Sequence, residues 1–104
     1  TLREAERAAA RARLDAARNR TIGLAQRHGA RFDTPPAGLF GWVDAGVDTE
    51  ALAQRLLDHG WLTAPGHLFY PERRTSTCMR INFAATQDAS FWQAFARERV
   101  ALLR

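Results

Sequence analysis

The chain has 104 residues, 46% of them apolar, with fifteen arginines, no lysine and eleven acidic residues, for a formal net charge of +4. That length supports a single domain, residues 1–104, with a modest core that buries about 65% of the surface its unfolded form exposes. No apolar run approaches the roughly 20 residues that span a bilayer, and the chain opens with charges rather than a signal pattern, so it reads as soluble, cytoplasmic and without a membrane partner.

Residues 2–28 hold no proline and one glycine and are rich in alanine, leucine and arginine, a composition that predicts a long helix. Its expected buried stripe is Ala10, Leu14, Ala17, Thr21, Leu24 and His28, with Gly29 as the stop. Six arginines precede Thr21. Arg3, Arg7 and Arg11 are interleaved with Glu4, Glu6 and Asp15 at spacings that allow ion pairs, which favours a solvated helix face over a nucleic-acid surface. The T-P-P-A-G segment that follows is a loop.

Residues 39–44, L-F-G-W-V-D, predict a short strand in which Gly41 marks a close backbone approach or a bulge. Asp48 is placed to cap a helix over residues 49–59, with Leu52, Leu56 and His59 facing inward, Leu57 at the margin, and Val47 stapled to Leu52. Residues 61–64 predict a second strand, Pro65-Gly66 a turn, and residues 67–77 an exposed loop through P-E-R-R. In residues 78–84, C-M-R-I-N-F-A, Met79, Ile81 and Phe83 share one face of a strand and Cys78, Arg80, Asn82 and Ala84 the other. A final helix starts at Asp88 or Thr86 and buries Phe91, Trp92, Phe95, Leu102 and Leu103. The order predicts an α+β two-layer sandwich, a three- to four-stranded sheet with helices on one face, leaving Arg80 and Asn82 on the uncovered side.

Little in this chain reads as a self-contained active site. His28, His59 and His67 lack the spacing of metal ligands, and helix-end histidines such as His28 and His59 commonly pack or serve the C-terminal dipole. No nucleophile elbow or phosphate-binding glycine loop with a lysine occurs, and Glu72 and Asp88 do not form a poised pair. The lone cysteine, Cys78, excludes an internal disulfide framework and reads as a small packing residue rather than a reactive thiol.

Four stretches in order, P-P-A-G-L-F-G-W-V, G-V-D-T-E-A-L-A-Q-R-L-L-D-H-G, T-A-P-G-H-L-F-Y-P and M-R-I-N-F-A, resemble the C-terminal small domain of a fold-type-I aminotransferase over nearly the whole chain. Within that superfamily, A-P-G-x-L-F and S-T-C-M-R-I-N-F most resemble the MocR-type regulators, in which a GntR-like helix-turn-helix precedes an aminotransferase-like domain. The resemblance implies that Arg80 grips the α-carboxylate of an amino acid bound to pyridoxal 5′-phosphate, with Asn82 and Gly38 as supporting residues. Ala37 departs from the two glycines that many relatives carry before Leu-Phe, which bears on the loop nearest the substrate.

The family's cofactor is held as an imine on a lysine, and this chain has none. The resemblance therefore implies that the lysine, the phosphate cup and any DNA-binding helices lie in an upstream large domain and beyond it. It also implies a homodimer when full length. Three readings follow: an effector-binding domain of a regulator that senses an amino acid or amine and contacts DNA through a separate N-terminal domain; the small domain of a genuine aminotransferase; or a free-standing α+β module whose basic helix binds nucleic acid.

Overall fold

The computed structural model describes every residue except Arg73, so the part of the expected P-E-R-R loop at that position lies outside the described residues. Helix α1 spans Leu2–Arg27, α2 Thr49–Asp58 and α3 Ala89–Leu102; the strands are β1 Arg31–Phe32, β2 Phe40–Asp44, β3 Ala64–Pro65 and β4 Cys78–Asn82. Two short 3-10 helices, Gly66–Phe69 and Ala84–Thr86, flank β4 in sequence. The sheet is antiparallel with strand order β1-β2-β4-β3. This is the expected α+β architecture of a small sheet with a helical layer.

The core lies between the sheet and the helices. Val43 of β2, Met79 and Ile81 of β4 and Phe83 beyond it join Leu52 and Leu56 of α2, Phe91, Trp92 and Phe95 of α3, and Ala25 of α1 in one buried cluster. Alternation along β4 is as the sequence predicts, with Met79 and Ile81 buried and Arg80 and Asn82 exposed. Gly41 is where the backbone must come close: a Cβ there would lie 2.8 Å from the Phe83 ring and 3.0 Å from that of Phe32. The aromatic side chains of α3 then pack edge to face in series, Phe91 on Trp92 at 4.9 Å and Trp92 on Phe95 at 5.1 Å.

Polar groups lock the helices to the strands. The Thr21 hydroxyl lies 2.9 Å from the Phe83 carbonyl oxygen and 3.2 Å from that of Thr86, which also accepts the Trp92 indole N–H at 2.8 Å. Asp48 caps α2, as expected, and Asp88 caps α3 by accepting from the Ser90 N–H, which holds its carboxyl below the usual range. Between α2 and α3, the largely buried Glu98 accepts from Arg55 Nε at 2.8 Å and faces His59 Nε2 at 3.0 Å. His59 first and Arg55 second lower its carboxyl pKa. His28 caps α1, its ring nitrogen 2.7 Å from the Leu24 carbonyl.

Several sequence expectations differ from the structure. In α1 only Ala17, Thr21 and Ala25 are buried; Ala10 is exposed because the first half of the helix projects beyond the sheet. Among the described residues Arg3, Arg7 and Arg11 have no carboxylate partner: Asp15 pairs with Arg18 at 2.9 Å and Glu4 with the terminal amine. Surface pairs on an exposed helix gain too little to order long side chains. Leu103 lies past the end of α3 and is 57% exposed, and His59 reaches sideways to Glu98 instead of into the core. The second strand is Ala64–Pro65 rather than residues 61–64, because Trp61 turns to meet the Phe91 ring at 5.3 Å. The last strand stops at Asn82, where Phe83 turns into the second 3-10 helix, and β1 has no counterpart in the expected order.

Among the described residues, no helix is long and apolar enough to cross a membrane.

Candidate functional site

The uncovered face of the sheet is built by β2 and β4 in register. Phe40 stands opposite Asn82, Trp42 opposite Arg80, and Asp44 opposite Cys78, while Ala64 of β3 faces Arg80 from the other side. Period-two alternation makes this face inevitable once Met79, Ile81 and Val43 point into the core. Arg80 is therefore exposed at the middle of the sheet. Its guanidinium carbon lies over the Phe40 ring, 4.4 Å from the centroid, and over that of Phe69 at 5.0 Å. Among the described residues no carboxylate or carbonyl claims its donors.

Beside Arg80 a cleft opens between β4 and residues 61–64. Its walls include Phe40, Trp61, Leu62, Ala64, Phe91 and Asn82, and it encloses about 330 Å³. Arg80 is the one charged group among the described residues that line it. The arrangement offers a permanently charged, planar donor set at the mouth of a mainly apolar space, chemistry suited to an organic carboxylate.

Asn82 lines the same cleft, but its side-chain oxygen is engaged in accepting the Ala85 N–H at 3.2 Å, which starts the second 3-10 helix. Gly38 has a φ of +68°, which needs glycine, and its carbonyl accepts from Arg18 at 3.2 and 3.4 Å. It is not among the residues that wall the cleft. Cys78 is half-buried on the open face; burial, then Asp44 and Asp33, push its thiol pKa up, so it stays protonated at neutral pH.

Phe40, Trp42 and Phe69 are the residues of this face that sequence reasoning did not single out. The signal was present: Phe40 and Trp42 alternate with Gly41 and Val43 in the pattern that puts them beside Arg80, but only the β2–β4 register reveals it. Phe69 reaches the face through the first 3-10 helix, whose position depends on Gly66. A Cβ on Gly66 would collide with the Cys78 carbonyl and the Ser76 side chain, and its N–H is bonded to the Thr49 hydroxyl at 3.2 Å. That hydroxyl is also 2.7 Å from the Cys78 carbonyl oxygen and 2.9 Å from that of Ser76. The glycine of A-P-G-H-L-F and the threonine of V-D-T-E thus bring the Phe69 segment against β4.

Pyridoxal 5′-phosphate would require a side-chain amine for covalent attachment, and the chain contains no lysine. Among the described residues, no three His, Cys, Asp or Glu side chains are grouped as a metal site.

No protein-family model and no curated protein matches the chain. Solved structures do. Valine-pyruvate aminotransferase AvtA from Salmonella typhimurium is similar at 28% identity and a TM-score of 0.73, over 88% of this chain and 27% of that one. Kynurenine aminotransferase from Pyrococcus horikoshii matches at 22% identity and a TM-score of 0.70, over 88% of this chain and 24% of that one. LysN, the α-aminoadipate aminotransferase of Thermus thermophilus, solved with N-(5′-phosphopyridoxyl)-L-leucine, matches at 21% and 0.68, over 86% and 25%. The chain spans about a quarter of the length of these relatives. Its small antiparallel sheet flanked by helices matches an aminotransferase small-domain-like architecture, and the chain is structurally related to known fold-type-I aminotransferases.

Proposed function

We propose that this chain is the substrate-side small domain of a pyridoxal-phosphate-dependent aminotransferase, in which Arg80 holds the α-carboxylate of the amino acid. The observation that carries the reading is the Arg80 guanidinium on the uncovered face, with its donors unclaimed among the described residues and an apolar cleft at its side. A carboxylate meeting that fork in bidentate fashion gains charge-assisted hydrogen bonds worth roughly 1.5–3 kcal/mol. The cofactor, held by a lysine outside this chain, supplies the electron sink for amino-group chemistry; this domain contributes recognition and orientation.

The regulator reading, with DNA bound through a separate domain, rests on the wording of A-P-G-x-L-F and S-T-C-M-R-I-N-F. The structural relatives are aminotransferases, which favours the enzyme. In the full-length protein, Arg80→Ala is expected to raise the Kd or KM for amino acid roughly 10- to 100-fold. The visible absorbance of the bound cofactor should remain. Unchanged amino-acid affinity would remove Arg80 from the site.

A further inference from the structure

Among the described residues, Arg80 is an exposed cation whose neighbours are rings instead of carboxylates. Phe40 and Phe69 lie within 5.0 Å of its guanidinium carbon, and Trp42, directly across the ladder from Arg80, meets the Phe69 ring edge-on at 5.3 Å. Phe40 and Phe69 are 44% and 43% exposed, so neither ring is a core residue whose position packing alone explains. An aromatic face attracts the flat face of a guanidinium, whereas the N–H donors project from its edge. An arginine fixed by a neighbouring carboxylate has those edge donors occupied. One fixed by rings keeps them for an incoming ligand and is still restrained.

We propose that Phe69 and Phe40 are positioning residues that hold Arg80 by its π faces, leaving its donors ready for a carboxylate, and so set the preference for α-amino acids over the corresponding amines. The inference rests on the carboxylate role proposed for Arg80. Two elements converge on the guanidinium: β2 brings Phe40, and the 3-10 helix pinned by Gly66 and Thr49 brings Phe69. Trp42 braces Phe69 in turn. Loss of a ring leaves the charge in place but lets a long side chain sample other rotamers, so the loss falls on ligands that use the fork and not on those that lack a carboxylate.

The test uses full-length protein with its cofactor. The probes are the tightest-binding of the twenty common L-amino acids and the amine made by removing that amino acid's carboxyl group. Wild-type protein should bind the amino acid more tightly than the amine. Phe69→Leu should shrink that ratio on the order of fivefold to tenfold with amine affinity unchanged, Phe40→Leu should shrink it in the same sense, and Phe69→Tyr should restore it. A ratio unaltered by both leucine variants, while Arg80→Ala abolishes it, overturns the positioning role and leaves the carboxylate grip intact. Equal weakening of amino acid and amine also overturns it, since that marks a general packing role. A ratio unaltered by Arg80→Ala, or binding of none of the amino acids, overturns the grip itself and the positioning with it.

Discussion

Replacing Gly66 by alanine adds a single carbon at a crowded joint between the first 3-10 helix and the start of β4. The new Cβ would fall inside the van der Waals envelope of the Cys78 carbonyl oxygen and the Ser76 hydroxyl oxygen, and 2.9 Å from Ser76 Cβ. Carbon atoms pack at about 3.5–4.0 Å, so the two segments must part by at least about 0.6 Å. The Ser76 side chain can rotate, but the Cys78 carbonyl belongs to β4 and is already bonded to Thr49 at 2.7 Å, so part of the strain must be taken by backbone. Overpacking of this kind costs typically 1–3 kcal/mol. For a domain of this size each kcal/mol lowers Tm by about 4–8 °C, giving an expected fall of about 4–24 °C by circular dichroism. Because the same joint carries Phe69 to Arg80, amino-acid affinity of the full-length protein should fall as well. An alanine variant with unchanged Tm would refute the packing argument.

Three further outcomes follow from the same structure. Glu98 has a lowered carboxyl pKa, so its stabilising contribution is complete above the ordinary carboxylate value and is lost as pH falls through the folded one. Glu98→Gln should therefore be less stable than wild type near neutrality, with the difference in urea midpoint closing below about pH 4; a constant difference would contradict the ion-pair role. Cys78, with its thiol pushed up by burial and by Asp44, should alkylate with iodoacetamide at pH 7.5 more slowly than free cysteine, and a faster reaction would contradict that environment. Phe69→Leu should lower discrimination between amino acid and amine, as argued above, with Phe69→Tyr restoring it.

Much of this fold is legible in local chemistry. Asp48 before T-E-A-L, Asp88 before A-S-F-W and the alternation of Met79, Ile81 and Phe83 fix the starts of α2 and α3 and the facing of β4, because caps and period-two burial depend on near neighbours. The same alternation places Arg80 on the open face. What local patterns miss is set by distant partners. β1 is two residues that form a strand because Asp44 and Val43 are opposite them. Glu98 reads as an exposed helical charge until α2 presents Arg55 and His59. The rings around Arg80 come from residues 40 and 69, separated in sequence and joined by the β2–β4 register and the contacts of Gly66.

The most direct test of the carboxylate grip is a crystal structure of the full-length protein with cofactor and a bound amino acid. The account predicts both carboxylate oxygens at about 2.7–2.9 Å from the guanidinium nitrogens of Arg80, with Phe40 and Phe69 against its faces. A carboxylate held by other residues, with Arg80 turned away from the ligand, would contradict it.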